Sequence, residues 1–353
     1  MSSAGTMQAV IKTKPQYGAE WGEAPIPSIG PHDILVKIIA CSICGTDVHI
    51  YEWNDWAANR IKTPQIMGHE LAGEVVDIGK EVTSIKIGDY VSAETHIPCG
   101  RCFQCKTGKP EICRNLKILG VDTNGSFADY MRLPEVDAWK NSRSIPPEVA
   151  TIQEPLGNAI DTVLSEEVAG KTCAVIGCGP VGLLAVAVAN ACGATTLIAT
   201  DVNEYRLGLA KQMGATHAFN PKNTDVVKEV LELTHGDGVD VMCEMSGNAK
   251  ALHQGFAMVT PGGRASLLGL YSEPQTLDLN TEVIMRGIRV LGITGRTMFG
   301  TWYKAARFLE SGKIDPTPII THKFPLRDYV KAMDLMISGN SGKVILVPDG
   351  AKR

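Results

Sequence analysis

No basic run interrupts this 353-residue chain, and lysine plus arginine (34) fall below aspartate plus glutamate (38), for a formal net charge of −4. A protein that neutralises nucleic-acid phosphates needs a basic patch or stripe, so no nucleic-acid partner is expected. Long apolar runs are missing too. The longest, Val181 to Ala189, is far short of the about 20 residues that span a bilayer, so no membrane role is expected. The first residues, Met1-Ser-Ser-Ala-Gly-Thr-Met7, lack the cationic start and apolar core of an export signal, which predicts a cytoplasmic protein. That lack bears on the ten cysteines. Without an export signal, closely spaced cysteines read as metal ligands and not as disulfides. There is no long internal repeat and no low-complexity segment. With 44% apolar and 20% charged residues the chain is globular, and its length exceeds one ordinary core, so two domains are expected.

What is present centres on Lys171 to Arg206. Lys171-Thr-Cys-Ala-Val-Ile176 is a short apolar strand, Gly177-Cys-Gly179-Pro-Val-Gly182 a Gly-x-Gly-x-x-Gly turn, and Leu183 to Ala189 a helical run without charge. A second strand, Thr196-Leu-Ile-Ala-Thr200, ends on Asp201. Strand, turn, helix and acid together form the dinucleotide fingerprint. Gly177 permits the tight turn, Gly179 leaves the pyrophosphate unobstructed, and Gly182 lets the helix pack close. The helix start offers unpaired N–H groups and the positive end of its dipole to phosphates. Asp201 can accept from both ribose hydroxyls and would repel a 2′-phosphate, which favours NAD over NADP. Arg206 weighs the other way, since an arginine serves a phosphate or stacks on adenine.

Along the chain, strands are predicted at Gln8 to Ile11 and Ile34 to Ala40, with a loop over Trp21 to Pro31. Glycines and valines at close spacing from Gly68 through Gly88-Asp-Tyr-Val91 suggest a small, irregular β-barrel, with a return strand at Gly125 to Met131. From about Gln153 strands and helices alternate. Strands near Ala174, Leu197, Ala218, Val239 to Glu244, Ala265 to Leu268 and Val290 to Ile293, joined by helices, predict an α/β, doubly wound parallel sheet. After about Gly300 two amphipathic helices and a last strand, Lys343 to Val347, read as a return to the first domain. The domains are therefore expected at 1–154 with 300–353, and at 155–299.

Cys99-x2-Cys102-x2-Cys105-x7-Cys113 is the strongest metal signal. Four thiolates from one loop, about residues 95–115, close a tetrahedron round zinc with no open position, the pattern of a structural site. An iron–sulfur cluster also takes four cysteines but ranks lower, since nothing else points to electron transfer. Cys44, Thr46, Asp47, His49, His69, Glu70 and Glu154 are candidates for a second, dispersed site, which spacing alone does not establish.

Ile43-Cys-Gly-Thr-Asp47, Gly68-His-Glu70, Gly88-Asp-Tyr-Val91, the four-cysteine loop and the glycine turn occur in this order. That order resembles the zinc-containing, medium-chain alcohol dehydrogenase family over nearly the full length. His49 to Trp56, Glu94 to Cys99, Gln153 to Asn158, Ile293 to Arg296 and Pro318 to Lys323 resemble, more narrowly, the branch of that family that oxidises L-threonine. The resemblance implies a GroES-like catalytic barrel beside a Rossmann NAD domain, two zinc ions per chain and a homotetramer. It implies a catalytic zinc on Cys44, His69 and Glu70, and a proton relay through Thr46 and His49. Neighbours on an ideal strand face opposite ways, so His69 and Glu70 can share a metal only if the backbone bends there. Glu154 either binds zinc or takes part in proton transfer. Cofactor contacts are implied at Val181, Asp201, Arg206, Leu268-Gly269-Leu270 and Ile293-Thr294. The substrate implied is L-threonine, oxidised to 2-amino-3-oxobutanoate. Two other readings are a polyol or 2,3-butanediol dehydrogenase of the same superfamily, and a non-catalytic NAD(P)- or zinc-binding protein.

Overall fold

The computed structural model describes residues 5–350; the first four residues of the export-signal argument lie outside the described residues. The chain forms two compact units, 1–154 with 320–353, and 155–319. The return to the first unit thus falls at Ile320, not at 300. Helix Gly300–Glu310 belongs to the second unit because its buried face is satisfied there: Trp302 lies 5.9 Å from the Arg296 guanidinium, and Thr301 donates to the carbonyl of Thr297.

In the first unit the larger sheet runs Ala138–Lys140, Tyr90–Ala93, Glu70–Ile78, Asp33–Ser42, Lys343–Val347 and Ile320–Pro325, with Tyr130–Pro134 also paired to Asp33–Ser42. In Asp33–Ser42 the residues Ile34, Val36 and Ile38 alternate into the core, as the two-residue pleat dictates. They meet Leu71, Val75, Val91, Phe127 and Leu346. Two irregularities shift the register of this pair, which ends with Ser42 opposite Glu70. Along its other edge, Ile345 stands opposite Ser42. The pairing therefore delivers Ser42, Glu70 and the start of the strand Lys343–Val347 to one buried place.

The loop expected over Trp21 to Pro31 is a correction in its first half. Glu20–Pro25 is an edge strand, antiparallel to Thr6–Lys12, with Trp21 opposite Val10. Pro25 ends that strand at the sheet edge, where a missing N–H breaks no interior ladder. The return strand also starts later than expected, at Tyr130.

The second unit holds six parallel strands in the order His217–Phe219, Thr196–Thr200, Thr172–Ile176, Val239–Glu244, Val259–Leu267, Arg289–Gly292. In chain order that is 3-2-1-4-5-6, the doubly wound arrangement. Central strands such as Thr172–Ile176 are buried almost throughout, because helices cover both faces of a parallel sheet. The helical run at Leu183 to Ala189 lies within helix Pro180–Ala191, and the joining helices are Glu204–Gln212, Val226–Leu233 and Ala249–Met258. No helix among the described residues is long and apolar enough to cross a membrane.

Candidate metal centres and nucleotide turn

Cys44 caps the helix Gly45–Glu52. Asp47, three residues on and fully buried, turns back so that one carboxylate oxygen accepts from the Cys44 N–H at 2.9 Å. Its other oxygen accepts from the Gly68 N–H at 3.1 Å and lies 3.8 Å from His69 Nδ1. This one side chain therefore ties the helix start to the Gly68–His69 bend. Gly68 has φ +87, and a Cβ there would overlap the Phe127 ring, so only glycine fits. The strand begins after the bend, at Glu70. The bend resolves the geometry: donor atoms of Cys44, His69 and Glu70 lie within 4.8 Å of one another.

The donor set is electrostatically biased toward a cation. Burial alone would strip the proton from His69, yet the charges of Asp47, Cys44 and Glu154 hold it up at about 10. Negative charge that retains a proton there serves a divalent metal equally well. Glu70 is fully buried, and burial raises its carboxyl above the usual range. Opposing that, Lys343 Nζ lies 2.5 Å from its carboxylate and also donates to the Ile43 carbonyl at 3.0 Å. Ser42 Oγ donates to the same carboxylate. Thr46 Oγ1 stands 3.8 Å from Cys44 Sγ. Glu154 accepts from Thr95 Oγ1 at 3.0 Å and stays outside the three-atom group, though its charge acts on His69, Glu70 and Lys343. His49, exposed on the last turn of the helix, lies beside Asn54. Cys41 is a plain buried thiol: burial pushes its pKa far up, and its Sγ points at the Leu346 carbonyl.

Cys99, Cys102, Cys105 and Cys113 bring their sulfurs within 4.8 Å of one another. The Cys113 sulfur accepts from the backbone N–H groups of Cys99 and Asn115, both at 3.3 Å. Cys99 accepts from the Asn115 amide at 3.6 Å, and N–H donors led by that of Arg101 hold its thiol down at about 5. Donors aimed at sulfur favour thiolates, the form a metal binds. The short helix Phe103–Lys106 and the 3-10 turn Pro110–Ile112 shape this loop.

In the second unit Gly177 has φ +90, and a Cβ on Gly182 would overlap the Gly177 carbonyl, so the helix approaches as the fingerprint requires. A Cβ on Gly179 would meet only open space, the room a phosphate needs. Val181 lies in the first turn of the helix Pro180–Ala191. Asp201 accepts from the N–H of Cys178 at 2.7 Å and of Asn203 at 2.8 Å, so it braces the turn it follows. Arg206 is half-buried on the next helix. Leu268 and Gly269 donate to the Glu244 carbonyl, with Leu270 exposed beyond them; Ile293 donates to the Leu267 carbonyl, and Thr294 follows it. These segments stand just past the carboxyl ends of the fifth and sixth strands, where this fold binds ligands.

Family models for an alcohol dehydrogenase GroES-like domain and a zinc-binding dehydrogenase match residues 30–144 and 180–311. The chain belongs to the zinc-binding alcohol dehydrogenase family. Among its relatives in that family, L-threonine 3-dehydrogenase of Pyrococcus furiosus is 54% identical over 342 residues, covering 97% of this chain and 98% of that protein. The Bacillus subtilis enzyme of the same name is 52% identical over 345 residues, covering 98% and 99%. Of solved structures, a zinc-binding dehydrogenase from Sinorhizobium meliloti bound to NADP superposes with TM-score 0.90 at 30% identity, covering 98% of this chain and 100% of that one. The 2R,3R-butanediol dehydrogenase of Bacillus subtilis gives 0.88 at 27% identity, covering 97% and 100%. Zinc and a nicotinamide dinucleotide are accordingly the cofactors of this dehydrogenase, and the donor sets above suit both.

Ser42, Lys343 and Asn54 are the functional neighbours that sequence reasoning missed; Asp47 was a candidate, but its part as a bridge between Cys44 and Gly68 was not read. An acid three residues after a helix cap was a usable signal for Asp47; nothing local marks Lys343.

Proposed function

We propose that this protein oxidises the secondary alcohol of L-threonine to 2-amino-3-oxobutanoate with NAD. The observation that carries the reading is the convergence of Cys44, His69 and Glu70 in a chain 54% identical to an L-threonine 3-dehydrogenase. When bound there, zinc supplies a Lewis acid for the substrate hydroxyl, and NAD supplies the hydride acceptor. The chain's own residues handle the proton. Thr46, beside Cys44, takes it through its hydroxyl, and the exposed His49 passes it to solvent. Glu154, outside the three-atom donor group, is assigned to this proton path and not to the metal. Cys99, Cys102, Cys105 and Cys113 would hold a second, structural zinc, since four thiolates fill a tetrahedral site.

Preference for NAD rests on Asp201. Two backbone N–H groups fix its carboxylate beside the glycine turn, and an acid at the end of the second strand of this fold would repel a 2′-phosphate. Val181, Arg206, Leu268 to Leu270 and Ile293-Thr294 are assigned the remaining cofactor contacts. A cytoplasmic homotetramer is the assembly proposed. The unpaired edge strand Arg289–Gly292, with Val290, Leu279, Ile284 and Met285 exposed in the same unit, supports self-association. Steady-state kinetics with NAD on L-threonine, 2,3-butanediol and sorbitol test the substrate. L-Threonine should lead by orders of magnitude, because a site built to hydrogen-bond an amine rejects alcohols lacking it. A tenfold lead for either polyol would replace this reading with the polyol one.

A further inference from the structure

The helix Gly45–Glu52 ends in a way that bears on His49. Trp53 adopts the left-handed conformation, φ 57 and ψ 48, which a bulky side chain rarely takes. Its indole is held under the buried ammonium of Lys12, 5.0 Å from the ring centroid, and that ammonium is itself bound by the carbonyls of Gly18 and Tyr51. The reversal at Trp53 folds the chain back so that the Asn54 N–H donates to the His49 carbonyl at 3.3 Å. It also brings the Asn54 amide to the His49 ring, with Nδ2 3.0 Å from Nδ1.

Which way that amide faces is decided elsewhere. Asn54 caps the next helix, Asp55–Arg60, and its Oδ1 accepts from the Ala57 N–H at 3.1 Å. The oxygen being committed to the cap, the NH2 group faces the imidazole. An amide NH2 only donates, so His49 Nδ1 must accept, and in the neutral ring the proton then sits on Nε2. The one lone pair on which His49 can take up a proton is the pair already bound by Asn54.

We propose that Asn54 is a positioning residue for the relay: it fixes His49 in the Nε2–H tautomer, with Nδ1 held as the acceptor of the Asn54 amide. Protonation at Nδ1 sets an N–H against the amide N–H and costs the hydrogen bond. Charged groups on the surrounding elements leave this contact undisturbed. Glu52 shares the helix with His49, and Asp47 is turned to Cys44 and Gly68. On the next helix Arg60 is paired with Asp122, while Asp55 lies in its first turn and Trp56 sets its ring 6.4 Å from the imidazole. Helix Tyr329–Ser338 packs against Gly45–Glu52 and carries Lys331, paired with Asp328, and Asp334. Among the described residues no ion pair to His49 is formed.

The inference rests on the reading of His49 as the relay terminus, and the experiment separates the two. Asn54→Asp keeps an acceptor for the Ala57 N–H, so the cap survives, but it replaces the donor facing Nδ1 by an acceptor that stabilises the imidazolium. Asn54→Ser keeps the cap and removes the contact. In holoenzyme labelled with 15N-histidine, the His49 ring signals, assigned by their loss in His49→Gln, should show the Nε2–H tautomer in the wild type. In Asn54→Asp the ring should carry its proton on Nδ1, facing the new acceptor, while thermal stability stays near wild type. A wild-type ring protonated on Nδ1, or an Asn54→Asp ring that keeps the wild-type Nε2–H signature, overturns the proposal. If His49→Gln leaves kcat and its pH profile intact, the relay reading fails, and the ring signals alone still decide what Asn54 does.

Discussion

Replacing Lys343 by methionine should destabilise the first unit strongly. Its side chain is 1% exposed, that of Glu70 0%, and the two heads lie 2.5 Å apart. With the ammonium gone, Glu70 keeps the Ser42 Oγ donor but loses the largest charge that favours its carboxylate, with His69 left as the weaker one. Removing one partner of a buried pair costs about 3–5 kcal/mol. In a unit of this size each kcal/mol lowers Tm by about 2–4 °C, so the transition of the first unit should fall by roughly 6–20 °C. Burial raises the Glu70 carboxyl, and Lys343 restrains that rise; without the lysine the carboxyl climbs further. A group whose folded pKa lies above its unfolded one contributes stability at low pH and loses it as pH rises through the folded value. The deficit of Lys343→Met should therefore be largest at alkaline pH and shrink on acidification. Adding Glu70→Gln should recover much of it, since the orphan charge is gone. The assay is thermal unfolding of the two variants and the wild type in chelator, across pH 5–9. Wild-type Tm in Lys343→Met, or a deficit indifferent to pH and to Glu70→Gln, would refute the argument.

Metal analysis separates the two donor sets. The wild type should carry two zinc ions, Cys44→Ala about one with near-native stability, and Cys102→Ala about one with a clear loss of stability, because a closed site contributes folding energy outright. One zinc in the wild type, unchanged in Cys44→Ala, would remove the catalytic assignment. Asp201→Ala should weaken NAD by tenfold or more and narrow the margin over NADP. A small loss of stability should accompany it, about 1–3 kcal/mol for the two N–H groups it satisfies; equal wild-type efficiency with both cofactors would end the preference argued from Asp201.

Local pattern carried the second unit. Thr172–Ile176 and Thr196–Thr200 are short, mostly apolar runs that end on Gly177 and Asp201, and strands alternate with helices from there on, so order and type could be read one segment at a time. Pro25 and its neighbours misled because a proline-rich stretch was read for its own propensity, while Glu20–Pro25 is a strand by virtue of its partner Thr6–Lys12. The domain return at 300 misled for a related reason. The change of pattern there is real, but helix Gly300–Glu310 buries Trp302 and Ala305 in the second unit, and the sequence does not say against what an amphipathic face packs.

The same division explains the sites. Four cysteines within one loop are legible because the chain between them is too short to place them apart. Cys44, His69 and Glu70 became a site only through resemblance, since what unites them is the Asp47 bridge and the bend at Gly68. Lys343 lies 273 positions from Glu70, and only the register of Lys343–Val347 against Asp33–Ser42 brings it there. Asn54 is the intermediate case. It is five residues from His49, within reach of a local reading, yet its role depends on a left-handed tryptophan that no propensity suggests. What sequence hides here is therefore less the identity of the reactive groups than the groups that aim them, because a ligand must be of one chemical type while a positioning residue need only arrive from the right direction.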